Sequence, residues 1–142
     1  MGSDKGRWPT RVAPQSLIGI PTPGWEMLTL DKNDWVELKF SGRIVDGPGD
    51  DILLTEIGTY AEQAHVFITD AKGNEYFIGT AQAKDSKQFG VPTKIGFDIS
   101  GISLSFIPCA VRIRGTGLGE DDDISSAPGF DLGWIRARLK SN

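Results

Sequence analysis

Alternation of apolar and polar side chains with a period of two residues runs through the chain from residue 34 onward and constrains its fold most. In DWVELKF the two alternating sets are Val36, Leu38 and Phe40 on one face and Trp35, Glu37 and Lys39 on the other. Such alternation is typical of a β-strand with one buried face. Turn-forming residues recur every eight to twelve positions, which favours a β-sandwich or barrel. Because no segment has convincing helical periodicity, we predict an all-β fold with at least seven strands.

The first thirty residues follow a different pattern and contain four of the eight prolines of the chain. Proline has no backbone donor, which excludes it from a sheet interior and favours an extended or edge-lying segment. With 142 residues the chain is long enough for one domain and too short to divide comfortably into two. We predict a Pro-rich lead-in over residues 1–30 that packs on a single β domain over residues 31–142.

Charge and hydropathy exclude some classes of partner. The net charge of −4 at pH 7 argues against bulk attraction to nucleic acid or to an anionic membrane. No run of about 18 apolar residues exists, so no membrane span is predicted. The start lacks the apolar stretch of a signal peptide, and the protein is either intracellular or a module cut from a longer precursor. The single Cys109 forms no internal disulfide and suits a buried, small apolar position.

Three aspartates, Asp46, Asp50 and Asp51, lie in the turn-rich stretch DGPGDD. Calcium takes six to eight oxygen ligands, and a Gly/Pro loop offers carbonyls beside these carboxylates. The spacing does not match the regular calcium loop of a helix–loop–helix site. Solvated turns explain the same residues, because aspartate and glycine are ordinary turn formers.

Glu56 ends the strand that follows, on the same face as Ile52 and Leu54. A carboxylate among apolar neighbours requires a partner, which favours a metal over solvated turns. An ordinary ion pair is the alternative, with candidate cations Arg43, Arg112 and Arg114. A second acidic loop, GEDDDISSAPGFD, adds Asp123 and Asp131 to the candidate ligands.

A second set of outward-facing residues is aromatic and basic. If three of the strands share a sheet, the alternation places on one outer face Trp35, Lys39, Arg112, Arg114, Trp134, Arg136 and Arg138. Indoles stack on the C–H faces of sugars, and guanidinium groups bind carboxylate or sulfate, so the surface suits an anionic polysaccharide. Alternatively, the lead-in covers Trp35 or Trp134 while the arginines are solvated or paired with Glu37; a protein partner is a third possibility.

Catalytic motifs are missing from the sequence. His65 is the single histidine and lies in a strand pattern, which favours a structural role. The stretch GTGLG at 115–119 lacks the lysine of a phosphate-binding loop and leads into an acidic run. The acids crowd into loops, whereas a glycosidase needs one carboxyl with a raised pKa in an apolar pocket. We therefore predict that the protein is not an enzyme.

Five motifs in one order carry a family resemblance over residues 34–138: KFSGRIVDGPGDDILLTEIG, HVFITDAKGNEYFIG, FDISGI, AVRIRG and PGFDLGWIRA. The chain resembles the β-sandwich modules of bacterial secreted and cell-surface proteins, such as the PEP-CTERM type, which are similar to discoidin-like and jelly-roll carbohydrate-binding modules. Gly133 and Trp134 depart from the acidic and small residues usual there, and no sorting signal follows.

The resemblance implies a two-sheet antiparallel β-sandwich of jelly-roll or discoidin-like type over residues 31–142, with a structural calcium ion. It also implies secretion or display at the cell surface. We predict a non-catalytic module that binds a polysaccharide or cell-surface glycan through its Trp/Arg face. The alternative is a structural or adhesion module that contacts other domains of a larger polypeptide and has no glycan ligand.

Overall fold

A computed structural model describes residues 28–56, 62–82, 93–117 and 129–140. Its ten strands are β1 (Leu28–Leu30), β2 (Trp35–Lys39), β3 (Arg43–Ile44), β4 (Ile52–Glu56), β5 (Gln63–Thr69), β6 (Glu75–Gln82), β7 (Thr93–Phe97), β8 (Ala110–Gly115), β9 (Phe130–Ala137) and β10 (Leu139–Lys140). In these four ranges no helix is long and apolar enough to cross a membrane.

The strands form two four-stranded sheets and one small sheet. The first sheet has the order β1-β9-β4-β7 and the second has the order β2-β8-β5-β6. Strands β10 and β3 pair separately, and every pairing is antiparallel. The prediction of an all-β, two-sheet antiparallel sandwich is confirmed.

The inward faces of the two sheets form the core. Five of the residues predicted to face inward are fully buried, namely Val36, Leu38, Val111, Ile113 and Ile135. Val36, Leu38, Val111 and Ile113 belong to the second sheet and share the core with buried side chains of the first, among them Ile52, Leu54, Leu132 and Phe130. Burying aliphatic side chains of this size stabilises a fold by roughly 1.5–3 kcal/mol each. Leu139 was predicted to face inward and is 39% exposed, because it belongs to the small sheet instead.

The first strand begins before the predicted domain boundary. Leu28 and Leu30 are fully buried and pair with Leu132 and Phe130 of β9. The sandwich therefore starts at residue 28 or earlier, inside the segment assigned to the lead-in. Residues 1–27 lie outside the described ranges, so the packing of the lead-in stays a prediction.

A bulge in β9 shapes the region near the carboxylates. Leu54 pairs with Ile135 and Glu56 pairs with Leu132, which leaves two residues of β9 opposite Thr55. The backbone N–H of Trp134, one of those two residues, donates to the Thr55 hydroxyl at 2.9 Å. Leu132 and Ile135 consequently both face the core although three positions separate them.

Candidate functional site

The outward face of the second sheet carries a continuous set of aromatic rings and guanidinium groups. Cross-strand pairing places them in two adjacent rows that run across the strands. The first row contains Trp35, Arg114 and His65, and the second contains Arg112, Phe67 and Phe77. We call these six residues the aromatic–guanidinium face. Phe77 is 49% exposed and His65 is also exposed, so the face is open on the β5–β6 side.

Cation–π contacts alternate with ring contacts across this face. The guanidinium carbon of Arg112 lies 5.0 Å from the centre of the Trp35 ring, and that of Arg114 lies 5.6 Å from the Phe67 ring. The Phe67 and Phe77 ring centroids are 5.5 Å apart, and His65 is 5.3 Å from Phe77. Such distances are those of attractive cation–π and aromatic pairs. The rings of His65, Phe67 and Phe77 are edge-on or tilted to one another, with interplanar angles of 58° to 80°, so the side chains support one another without lying in one plane.

Arg112 is held in place by two carboxylates. Its Nη2 donates to Glu37 at 3.2 Å and its Nη1 donates to Glu75 at 3.0 Å. The hydroxyl of Thr69 donates to the same Glu37 oxygen at 2.7 Å, which fixes that carboxylate in turn. The alternative that an arginine of this face pairs with Glu37 is confirmed for Arg112, whose charge is compensated.

Arg114 differs from Arg112 in its polar contacts. Within the described residues it makes a contact with the Phe67 ring and has no ion pair or side-chain hydrogen bond. A guanidinium group carries five N–H donors in a planar fork. Arg114 therefore offers these donors to solvent or to a ligand, next to an aromatic ring. Lys39 lies on the same outer face at the edge of the sheet and is exposed.

The predicted single Trp/Arg face is wrong for its members on the last long strand. Trp134 and Arg136 lie on β9, which pairs with β1 and β4 in the first sheet and not with β2. Arg136 stacks over the Trp134 ring at 4.8 Å, and this indole is 6% exposed. Two tryptophans of the predicted binding face thus lie on different sheets. The first and last strands were expected to pair. The strand that pairs with β9 at this end of the chain is β1, not β2.

Arg138 was predicted to face a ligand, and it holds the DGPGDD loop instead. Its Nε donates to Oδ1 of Asp51 at 2.8 Å, and its Nη2 donates to the carbonyl of Pro48 at 2.7 Å. Asp51 also accepts the backbone N–H groups of Gly47 at 2.8 Å and Ile99 at 3.0 Å. Burial favours a raised pKa for Asp51, but the N–H donors of Ile99, Arg138 and Gly47 outweigh it and lower that pKa. The cation at the buried aspartate is therefore Arg138.

Two clusters of carboxylates occur among the described residues, and Asp46, Asp51 and Asp98 form one of them. Each of these three residues has one carboxylate oxygen that lies within 4.8 Å of those of the other two. The pKa of Asp46 is raised by desolvation, by the charge of Asp51 and a hydrogen bond with it, and by the charge of Asp98. Asp50, the third predicted ligand of this loop, packs its side chain against Gly96 and is not a member. Arg138 already occupies an oxygen of Asp51, so its positive charge opposes a second cation here.

Glu56, Glu62 and Asp131 form the other cluster, and all three are buried. The N–H of Asp131 donates to Oε1 of Glu56 at 3.4 Å, and the hydroxyl of Thr29 donates to Asp131 at 2.6 Å. Burial raises the pKa of Asp131 to about 6, although the Thr29 hydrogen bond acts in the opposite direction. The structure thus brings together two of the predicted metal ligands, Glu56 and Asp131. Asp123 lies outside the described residues.

No known protein-family model matches this chain, and no curated protein matches it. Among solved structures, the chain is similar to a glycoside hydrolase family 43 arabinoxylan arabinofuranohydrolase from Bacillus subtilis in complex with cellotetraose. The TM-score is 0.52 at 15% sequence identity, and the match covers 80% of this chain and 21% of the hydrolase chain. The likeness shows the fold, a β-fold that also occurs within a carbohydrate-active enzyme. The resemblance to PEP-CTERM-type modules stays a prediction.

Sequence reasoning missed four residues that complete these sites. His65, Phe67 and Phe77 belong to the aromatic–guanidinium face, and Glu62 belongs to the buried carboxylate cluster. The alternation of AHVFITD already placed His65 and Phe67 on one outward face. The alternation does not give the strand order. Because β5 lies between β8 and β6, the face extends beyond Arg112 to side chains of β5 and β6.

Proposed function

We propose that this protein is a non-catalytic module that binds a polysaccharide on the aromatic–guanidinium face. The observation that carries the proposal is the row arrangement of Trp35, Phe67 and Phe77 with two arginines on one outward face of the second sheet. Aromatic rings on three strands of this sheet give an extended glycan chain several apolar contacts for the C–H groups of its sugars.

Arg114 and His65 supply the polar part of this surface. Arg114 lies in the same row as Trp35 and has hydrogen-bond donors free for sugar hydroxyl or carboxylate oxygens. His65 is exposed beside Phe77 and offers a donor and an acceptor. A carbohydrate site needs a few directional polar groups around apolar contact area, and the face contains both.

The fold comparison supports this proposal at a coarse level. The similar hydrolase is a carbohydrate-active enzyme that was crystallised with an oligosaccharide of glucose. The chain spans about a fifth of the length of that enzyme, a proportion that suits one β-sandwich unit of a larger protein. A module role, secreted or at the cell surface and attached to other domains, is part of the proposal.

The buried carboxylates support a non-catalytic role. Retaining glycosidases hold two carboxyl groups about 5–5.5 Å apart and inverting ones hold them farther apart, with the sugar between them. In the cluster of Glu56, Glu62 and Asp131 the nearest oxygens lie within 4.8 Å, and each residue is at least 94% buried. Carboxyl groups buried to this extent do not present a surface to which a sugar ring could bind. Their proximity favours a shared cation or shared protons.

We further propose that calcium binds at Glu56, Glu62 and Asp131. The donor set is chemically suitable, because carboxylate oxygens are the usual protein ligands of Ca²⁺. The raised pKa of Asp131 reflects burial of a charge, and a divalent cation offsets that cost when it binds. A metal here stabilises the junction of β4 and β9.

Binding to the face is tested by affinity electrophoresis and calorimetry with cello- and xylo-oligosaccharides and with acidic polysaccharides. The variants Trp35→Ala and Phe77→Ala are expected to weaken retention at least tenfold, because each removes a stacking surface. Leu139→Ala is the matched control, since Leu139 is an exposed apolar residue outside the face. If no polysaccharide retards the protein, or if the face variants bind as the wild type does, the structural or adhesion role is favoured instead.

A further inference from the structure

Two adjoining cavities lie at the end of the second sheet and share Arg43, Phe106 and Ile107. Their volumes are about 290 Å³ and about 530 Å³. The smaller cavity has apolar walls that include Ile44 and Ile102, and the larger one is bordered by the β5–β6 turn, Asp70–Asn74. That turn connects Thr69 to Glu75, and this pair of residues ends the β5–β6 pairing next to the aromatic–guanidinium face. The cavities therefore continue the proposed glycan surface around the end of the sandwich.

Arg43 is a cation without an acidic partner in this region. Its Nε is buried and has no hydrogen-bond partner, and among the described residues its side chain forms no ion pair. The backbone around it is fixed, because Arg43 pairs with Lys140 and the N–H of Ile44 donates to Pro108 at 2.8 Å. Burying part of a guanidinium group without acceptors is unfavourable. Arg43 lines both cavities, so an anion bound there by its guanidinium group would offset part of this cost.

Asp46 and Asp70, the acids that line the two cavities, form no ion pair with Arg43. Asp70 is bound by its own turn, where the N–H groups of Lys72 and Asn74 donate to one oxygen and the Asn74 amide donates to the other. These donors lower the pKa of Asp70, so its charge persists at neutral pH. Asp46, at the rim of the smaller cavity, belongs to the cluster with Asp51.

The charges that line the cavities disfavour a ligand group with two negative charges. Arg43 and Lys72 oppose Asp46 and Asp70, which leaves no net charge around the pair of cavities. A dianionic phosphate would be repelled by both aspartates, whereas a carboxylate gains the bidentate guanidinium contact at a smaller repulsive cost. The exposed Ile107, at 62%, and Phe106 supply apolar contact for the body of the ligand.

We propose that Arg43 binds the carboxylate of a uronic acid residue in a polysaccharide that extends from the aromatic–guanidinium face into these cavities. The inference rests on the proposed glycan-binding function and assigns its substrate class. Phe106 and Ile107 contact the C–H face of the same sugar ring.

The test uses amide NMR titrations of the full chain with tetragalacturonate, its fully methyl-esterified form and cellotetraose. Tetragalacturonate is expected to shift the amides of residues 71–73 and 106–107 and to bind about tenfold more tightly than the ester. Arg43→Gln is expected to remove that difference, whereas Arg136→Gln, on the other sheet, is expected to keep it. A sulfated disaccharide distinguishes carboxylate from sulfate recognition.

The outcomes separate this inference from the proposed function. If cellotetraose binds and Trp35→Ala abolishes its binding, but tetragalacturonate and its ester bind equally, the Arg43 site is wrong and the face remains. If tetragalacturonate shifts only the cavity amides and Trp35→Ala has no effect, the Arg43 site holds and the face is wrong. If the sulfated probe binds more tightly than tetragalacturonate, the carboxylate assignment is wrong. Shifts are measured in the wild type, so poor folding of Arg43→Gln leaves the test intact.

Discussion

The Nε of Arg138 donates to Oδ1 of Asp51 at 2.8 Å, and the backbones of the same two residues are also hydrogen-bonded, with the N–H of Arg138 2.7 Å from the carbonyl of Asp51. Two residues 87 positions apart thus join the end of β9 to the loop that precedes β4. The carbonyl of Arg138 also accepts from Val45 at 3.0 Å. Asp51, one of the gathered aspartates of the DGPGDD loop, therefore has a structural explanation that needs no metal.

Arg138→Gln is expected to lower the free energy of unfolding by about 1–3 kcal/mol, because it leaves the buried Asp51 carboxylate without its cation. The lower part of that range applies if solvent screens the partly exposed guanidinium. Arg136→Gln is the control, since Arg136 is exposed and stacks on Trp134 without an ion pair in the described chain. Equal urea midpoints for both variants would show that the Asp51–Arg138 pair contributes nothing measurable.

In chelator, the free energy of unfolding is expected to fall as the pH rises from 4 to 6. The folded pKa of Asp131 is about 6 and its ordinary value is 3.8, so the folded state binds the proton more tightly. Unfolding therefore releases a proton in this window, and the stabilisation present at low pH is lost above it. The difference amounts to at most about 3 kcal/mol. Urea unfolding of wild type and Asp131→Asn measures it.

Asp131→Asn keeps an acceptor for the Thr29 hydroxyl but cannot titrate. Its unfolding free energy is expected to vary less with pH than that of the wild type between pH 4 and 6. An identical slope in the two proteins would mean that Asp131 is not the group responsible.

The strands could be predicted from the sequence because period-two alternation is a local property. Val36, Leu38, Val111 and Ile113 are buried as their spacing predicts. Strand order is not local, since it depends on which faces pack together after the chain has turned several times. The sheet assignment of Trp134 failed for that reason, and the bulge at Gly133 further changed which side chains of β9 face inward.

Residues of the candidate sites could be predicted only where the neighbouring sequence made them unusual. Asp51 stood out as one of the aspartates in DGPGDD and Glu56 stood out as a carboxylate near apolar residues, and both are buried. Their partners were not predictable, because Arg138 lies 87 positions from Asp51 and Asp131 lies 75 positions from Glu56. Nothing in the local pattern distinguishes Arg138, just after β9, from Arg136 within that strand.

Gly115→Ala is expected to destabilise the fold by about 1–3 kcal/mol, the usual cost of overpacking a close-packed interior. An added Cβ at Gly115 would contact the backbone carbonyls of Leu30 and Asp31, which are held in place and cannot move away. At Gly96 the added Cβ would meet only the side chain of Asp50, which can rotate toward solvent. Gly96→Ala is therefore expected to cost under about 1 kcal/mol. Thermal unfolding of both variants checks this, and equal losses would contradict the assignment.

Calcium is expected to raise the thermal midpoint of the wild type, and chelator is expected to reverse the increase. A ligand that binds only the native state adds about 2.7 kcal/mol at a concentration one hundred times its dissociation constant. Glu62→Gln should lose most of this increase, because Glu62 belongs to the buried cluster with Glu56 and Asp131. Asp98→Asn, in the cluster beside Arg138, should retain it. If Asp98→Asn loses the response and Glu62→Gln keeps it, the ion binds at the DGPGDD loop instead; if the wild type shows no response, the calcium proposal is wrong.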